Sequence, residues 1–166
     1  MRVLGIDPGI AITGYGVVEG DGDRVSLLAC GVITTEAGRA LPDRLLDVFH
    51  DLNDLVDHWQ PDSSAVEELF FSKNVRTALS VGHARGVALL SLANAGIPVS
   101  EYKPAEVKEA VTGYGAAPKR QVQMMVQQLL GLADIPRPDD AADAVAVALC
   151  HLHSARWQAL VGRSSG

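Results

Sequence analysis

The stretch that most constrains this chain is its first sixteen residues, MRVLGIDPGIAITGYG. Val3, Leu4 and Ile6 form a short run with the length and branching of a buried strand, which ends on an acid, Asp7. Pro8-Gly9 then supplies the fixed φ and the permissive residue of a tight turn, and a second β-branched run, Thr13–Glu19, starts almost at once. So short a connection permits only antiparallel neighbours. A third run, Val25–Thr34, follows Gly20-Asp21-Gly22-Asp23, which predicts a three-strand meander. Gly14 and Gly16 inside the second strand are expected where another backbone, or a phosphate, comes close. Read alone, Asp7 fits two roles equally, a functional carboxylate or a side chain bonding its own turn amides.

The meander gives way to a crossover. Leu45, Val48, Phe49, Leu52, Leu55, Val56 and Trp59 recur at spacings of three and four, an amphipathic helix that covers one face of the sheet and ends at Pro61. Ser64-Ala65-Val66-Glu67 is a short central strand, and a right-handed crossover lays it parallel to an earlier one. If that neighbour is the first strand, Glu67 and Asp7 lie side by side at the carboxyl edge.

Asn74–Ala95 reads as a long helix whose Gly82 and Gly86 permit close contact with a partner. A strand at Ile97–Tyr102, a short helix at Ala105–Val111, a loop at Gly113–Ala117 and a helix at Lys119–Leu130 come next. Pro136 and Pro138 precede a last helix, Asp139–His153 or a little beyond, and Val161–Gly166 reads as frayed. The expected architecture is α/β, with strands one to three antiparallel, strands four and five parallel to strand one, and helices on both sides.

With 166 residues and 48% hydrophobic content, one domain is expected over residues 1–158, followed by a flexible tail at 159–166. No stretch approaches the roughly 20 apolar residues of a membrane span, and the N-terminus lacks a signal-like apolar core, so a cytoplasmic protein with no membrane partner is expected. Cys30 and Cys150 sit in apolar segments without metal-ligand spacing and read as reduced core thiols. His50, His58 and His83 have no ligating neighbours, while His151 and His153 point to different sides of their helix.

The net charge of −6 disfavours a nucleic-acid partner until its distribution is considered. Leu69–Leu132 holds seven basic residues (Lys73, Arg76, Arg85, Lys103, Lys108, Lys119, Arg120) against three acidic ones (Glu101, Glu106, Glu109), leaving the remainder at −10. In the last helix, Asp140 and Asp143 are spaced i, i+3 and share the side that continues into Ala144, Val147 and Cys150, which faces the sheet. First-turn acids commonly cap amides and complement the helix dipole, and Asp139 fits that role. Four acids from three segments at one sheet edge, with no buried basic partner, instead ask for a divalent metal. All-oxygen donors suit Mg²⁺ or Mn²⁺, and two such ions could clamp the attacking and leaving oxygens of a phosphoryl displacement.

Four blocks carry a family resemblance: IDPGxxxTGYG, AVEELFFSKN, KxxVTGYGAAPKRQVQ and DDAADAVAVA. Together they resemble the RuvC Holliday-junction resolvases of the ribonuclease-H-like superfamily, in register from about Met1 to His153. The resemblance implies a ribonuclease-H-like fold with Asp7, Glu67, Asp140 and Asp143 as catalytic, metal-binding acids, and it favours Glu67 over the adjacent Glu68. It implies a homodimer that nicks four-way junction DNA symmetrically in two strands of like polarity, leaving 5′-phosphate and 3′-hydroxyl. Phe70 would stack on junction bases with Lys73 and Arg76 close by, and Lys108 and Lys119, with Arg120, would meet the DNA backbone. The helix Asn74–Ala95 would supply much of the dimer contact, and a branch-migration complex of RuvA and RuvB would be the partner.

Three other readings stand beside this one. An actin- or sugar-kinase-like nucleotide-binding module shares the first-strand acid, but such proteins need two domains. A junction-binding module without catalysis sits poorly with four intact acids. A ribonuclease-H-like nuclease acting on another nucleic acid is the nearest in chemistry.

Overall fold

The computed structural model describes residues 1–21, 24–68 and 75–163. Five strands form one mixed sheet, β1 (Arg2–Asp7), β2 (Ile12–Asp21), β3 (Arg24–Thr34), β4 (Ser63–Glu67) and β5 (Val99–Tyr102), in the spatial order β3-β2-β1-β4-β5. The meander is antiparallel, β4 runs parallel to β1, and β5 runs parallel to β4. This is the expected ribonuclease-H-like arrangement. The helices are α1 (Leu41–Trp59), α2 (Val75–Asn94), α3 (Pro104–Thr112), α4 (Lys119–Leu129) and α5 (Asp139–Arg163).

Side-chain alternation along β1 divides the core. Leu4 and Ile6 point to the α1/α2 side, where they meet Val48, Leu52, Val56 and Leu92, all buried. Val3, with Ala65 of β4, joins the opposite core of Val107, Val126, Val145 and Leu149 under α3, α4 and α5. Asp7 therefore continues the row of Val3 and Gly5 and belongs to the α5 side. The first helix stops as expected before Pro61: Gln60 takes a left-handed conformation (φ 46°) and its N–H reaches the Val56 carbonyl at 2.8 Å.

Helix α5 lies across the sheet on a floor of glycine. A Cβ at Gly5 would overlap the Ala144 carbonyl, and one at Gly14 would overlap the Asp140 carbonyl. The close neighbour expected of Gly14 and Gly16 is thus protein backbone, and α5 answers with small residues, Ala141, Ala144 and Ala148, all fully buried.

One boundary differs from expectation. Helix α5 continues to Arg163, through residues assigned to a frayed tail. Beyond His153 the chain has no helix breaker before Gly162, and Ala155, Ala159 and Leu160 are strong helix formers. Residues 164–166 lie outside the described residues.

Cys30 is half-buried and Cys150 buried, and both are free thiols. Burial, then the nearby Glu106 charge, pushes the Cys150 thiol up to about 12, so it stays protonated and inert.

Candidate active site

Strand ends and one helix start build the site. Asp7 closes β1 opposite Gly14 of β2, and the parallel register pairing Ile6 with Val66 brings Glu67 beside it. Glu67 in turn pairs with Tyr102 of β5. Alternation sends Glu68 to the other face of the sheet, so Glu67 is the acid that shares a side with Asp7. Because Gly14 lets the α5 backbone settle directly on β2, the first turn of α5 carries Asp140 and Asp143 over the same edge.

The electrostatics show how crowded these carboxylates are. Burial, then the charges of Glu67, Asp143 and Asp140, pushes Asp7 up to about 8, and its carboxyl hydrogen-bonds Glu67. Glu67 is also raised, by burial and then by Asp143, against the opposing pull of that hydrogen bond, Lys108 and Lys119. Asp143 is raised by burial, although Lys119 works the other way. The crowding thus favours a proton on Asp7, whose carboxyl is hydrogen-bonded to Glu67.

Two lysines face the acids. Lys108 of α3 and Lys119 of α4 line a cleft of about 190 Å³ with Glu67, Asp143, Pro104, Val107, Val122 and Ala146. The Lys119 ammonium donates to Asp143 Oδ2 at 2.7 Å and lies 3.7 Å from Asp139 Oδ2. Burial works against its charge, but the Asp143 bond, with Asp139 and Asp140 behind it, outweighs that and holds Lys119 above the ordinary lysine value.

Among the described residues, no three His, Cys, Asp or Glu side chains close around one point as a coordination shell. Asp7 is hydrogen-bonded to Glu67, and Asp143 is ion-paired with Lys119. The donor set nevertheless fits a hard divalent cation, being all carboxylate oxygen with more negative charge than the lysines neutralise.

The remaining expected contacts separate. Arg120 is exposed and faces a second cleft with Gln127, Asp134, Ile135 and Arg137. Phe70 and Lys73 lie outside the described residues, and of Arg76 only the backbone, in the first turn of α2, is described.

Two groups escaped the sequence. Asp139 looked like a helix cap yet sits beside Lys119, with Arg137 Nη1 3.8 Å from its other oxygen. His151 is buried, with Nδ1 2.9 Å from Tyr102 Oη and Nε2 3.1 Å from Ser63 Oγ, and so ties α5 to β4 and β5. Spacing carries no signal for it, since its partners are 49 and 88 residues away.

An α/β sheet of this order, with carboxylates gathered at the ends of its first and fourth strands beneath the start of the last helix, is the scaffold of the ribonuclease-H-like nucleases. Residues 3–151 match the family described as crossover junction endodeoxyribonuclease RuvC. The RuvC of Chloroflexus aggregans is 61% identical over 93% of this chain and 94% of its own. That of Desulforamulus reducens is 56% identical over 98% of each. A Thermus thermophilus RuvC, solved in complex with a Holliday junction substrate, superposes with a TM-score of 0.90 at 38% identity, over 95% of this chain and 96% of that one. The chain belongs to the RuvC family, a family of metal-dependent nucleases.

Proposed function

We propose that this chain resolves four-way DNA junctions by metal-dependent hydrolysis of one phosphodiester in each of two strands of like polarity, leaving 5′-phosphate and 3′-hydroxyl ends. The observation that carries the reading is the meeting of four carboxylates from three segments at one strand edge, under two lysines, in a chain of this family.

In this reading Asp7, Glu67, Asp140 and Asp143 hold divalent cations, two Mg²⁺ per site with Mn²⁺ able to substitute. Bound there, such cations would supply charge for the attacking and leaving oxygens and would acidify a water. Asp7 gives up its proton to become a ligand, so cation affinity rises with pH. Lys108 and Lys119 stand across the cleft, where a scissile phosphate would meet both. Arg120 and Arg137 extend the positive lining to the second cleft, and Phe70, Lys73 and Arg76 complete the DNA contacts.

Symmetric nicking needs two copies. Helix α2 exposes Leu79, His83, Gly86 and Leu90 along one stripe, with the two leucines 60% and 63% exposed, and we assign this stripe to a homodimer. The single domain, taken to the end of α5, then works in the cytoplasm with the RuvA–RuvB branch-migration complex. Among the described residues no helix is long and apolar enough to cross a membrane.

The test is substitution of the acids. Asp7→Asn and Glu67→Gln should each remove cleavage while leaving junction binding in chelator equal to or tighter than that of the parent. Retained cutting by either variant would refute the assignment.

A further inference from the structure

We propose that Lys119 and a divalent cation compete for Asp143, and that Asp139 is the positioning residue that keeps the Lys119 ammonium at the cleft when Asp143 is taken. This rests on the metal-binding reading above and adds a role for an acid outside the four-carboxylate set.

Three observations carry it. Lys119 opens α4 immediately after Pro118, and its ammonium lies between two carboxylates of one helix face, Asp139 and Asp143, spaced i, i+4. The two contacts are unequal. The ammonium donates to Asp143 Oδ2 at 2.7 Å but stands 3.7 Å from Asp139 Oδ2, so the shorter bond falls on the carboxylate turned toward the acidic cluster. Asp139 is the more open of the two, its side chain 48% exposed against 27% for Asp143, and it lies on the outer side of the cluster.

An ammonium and a divalent cation sharing Asp143 Oδ2 would stand within a few ångströms of each other, at a Coulombic cost to both. The two therefore compete for that oxygen, and a cation bound there loosens the Lys119 contact. Without a second anchor the long side chain would regain its freedom and drift into solvent. With Asp139 less than 4 Å away, a small change in its side-chain torsions closes the other ion pair. The ammonium stays beside the cleft, placed for a phosphate.

The experiment is Mn²⁺ binding without DNA, by calorimetry at constant pH, for the parent, Lys119→Met, Asp139→Asn, the double variant and Asp143→Asn. If Lys119 competes, Lys119→Met binds Mn²⁺ several-fold more tightly than the parent. Asp139→Asn weakens binding several-fold when Lys119 is present and distinctly less in the Lys119→Met background. That non-additivity is the signature, since simple loss of a nearby negative charge would weaken both backgrounds alike. Unchanged or weaker binding by Lys119→Met, or strict additivity, would overturn the exchange. Mn²⁺ binding indifferent to Asp143→Asn would overturn the metal-binding reading itself, which separates the two failures. As a second readout, the Lys119 Nζ resonance should shift on adding Mg²⁺ to the parent and broaden into solvent exchange in Asp139→Asn. A resonance indifferent to Mg²⁺ would contradict the exchange.

Discussion

Asp7 is the residue on which the account turns, and its titration has a definite sign. Its folded-state value of about 8 lies above the ordinary 3.8, so the folded protein holds a proton that the unfolded chain has lost. The contribution of Asp7 to stability without metal is accordingly greatest below the ordinary value and is lost as pH rises through about 8. Burial holds His151 below its ordinary 6.5, so its contribution is lost in the other direction, as pH falls below that value. Thermal melts in chelator should therefore show a falling midpoint as pH rises from about 6.5 past about 8. Saturating Mg²⁺ should flatten that fall, because the cation replaces the Asp7 proton. A midpoint independent of pH in chelator would mean that Asp7 is not crowded. In cleavage, Asp7→Asn should cost on the order of 10³-fold or more, since it removes a group from a site that acts as a unit.

Asp7 and Glu67 were legible as neighbours because strand ends and crossover handedness are set locally, by Pro8-Gly9, Pro61 and the apolar runs between them. Asp139 was not, since its significance depends on Lys119, twenty residues away on another helix. A carboxylate in a first turn looks the same whether it caps amides or receives an ammonium.

At the scale of elements, the contact of α5 with β1 and β2 decides whether the site exists. Gly14→Ala would force its methyl into the Asp140 carbonyl, lifting the start of α5 off the sheet. We expect a cost of about 1–3 kcal/mol in denaturant unfolding. Cleavage should fall further than that loss of stability accounts for, because Asp140 and Asp143 move with the helix. A Gly14→Ala protein with parental activity would show that α5 need not sit so close. The two glycines of β2 announced a close approach, and spacing alone left open whether the neighbour was backbone or phosphate. The full length of α5 was missed for a simpler reason: Arg163-Ser164-Ser165-Gly166 offers nothing to pack, although Ala155, Ala159 and Leu160 before it favour the helix that runs to Arg163.

Across the described residues, charge is unevenly placed. The lysines of α3 and α4 face the acidic strand edge, while α1 carries Asp43, Asp47, Asp51, Asp54 and Asp57, so the DNA surface we propose avoids the outer face of α1 despite the net charge of −6. Lys119→Ala should reduce the salt dependence of junction binding by about one phosphate contact. An unchanged slope would return Lys119 to a purely intramolecular role. The α2 stripe makes a separate prediction: Leu90→Glu should shift the protein toward monomer in sedimentation and convert paired nicks into single, uncoupled ones. A dimer that survives this change would place the interface elsewhere.

The most direct test of the central claim is cleavage of a synthetic four-way junction beside linear duplex and RNA–DNA hybrid, each with Mg²⁺, Mn²⁺ or chelator. Paired nicks are expected in strands of like polarity, on the junction alone, only with metal and sealable by ligase. Cutting of the hybrid, or cutting that persists in chelator, would contradict it.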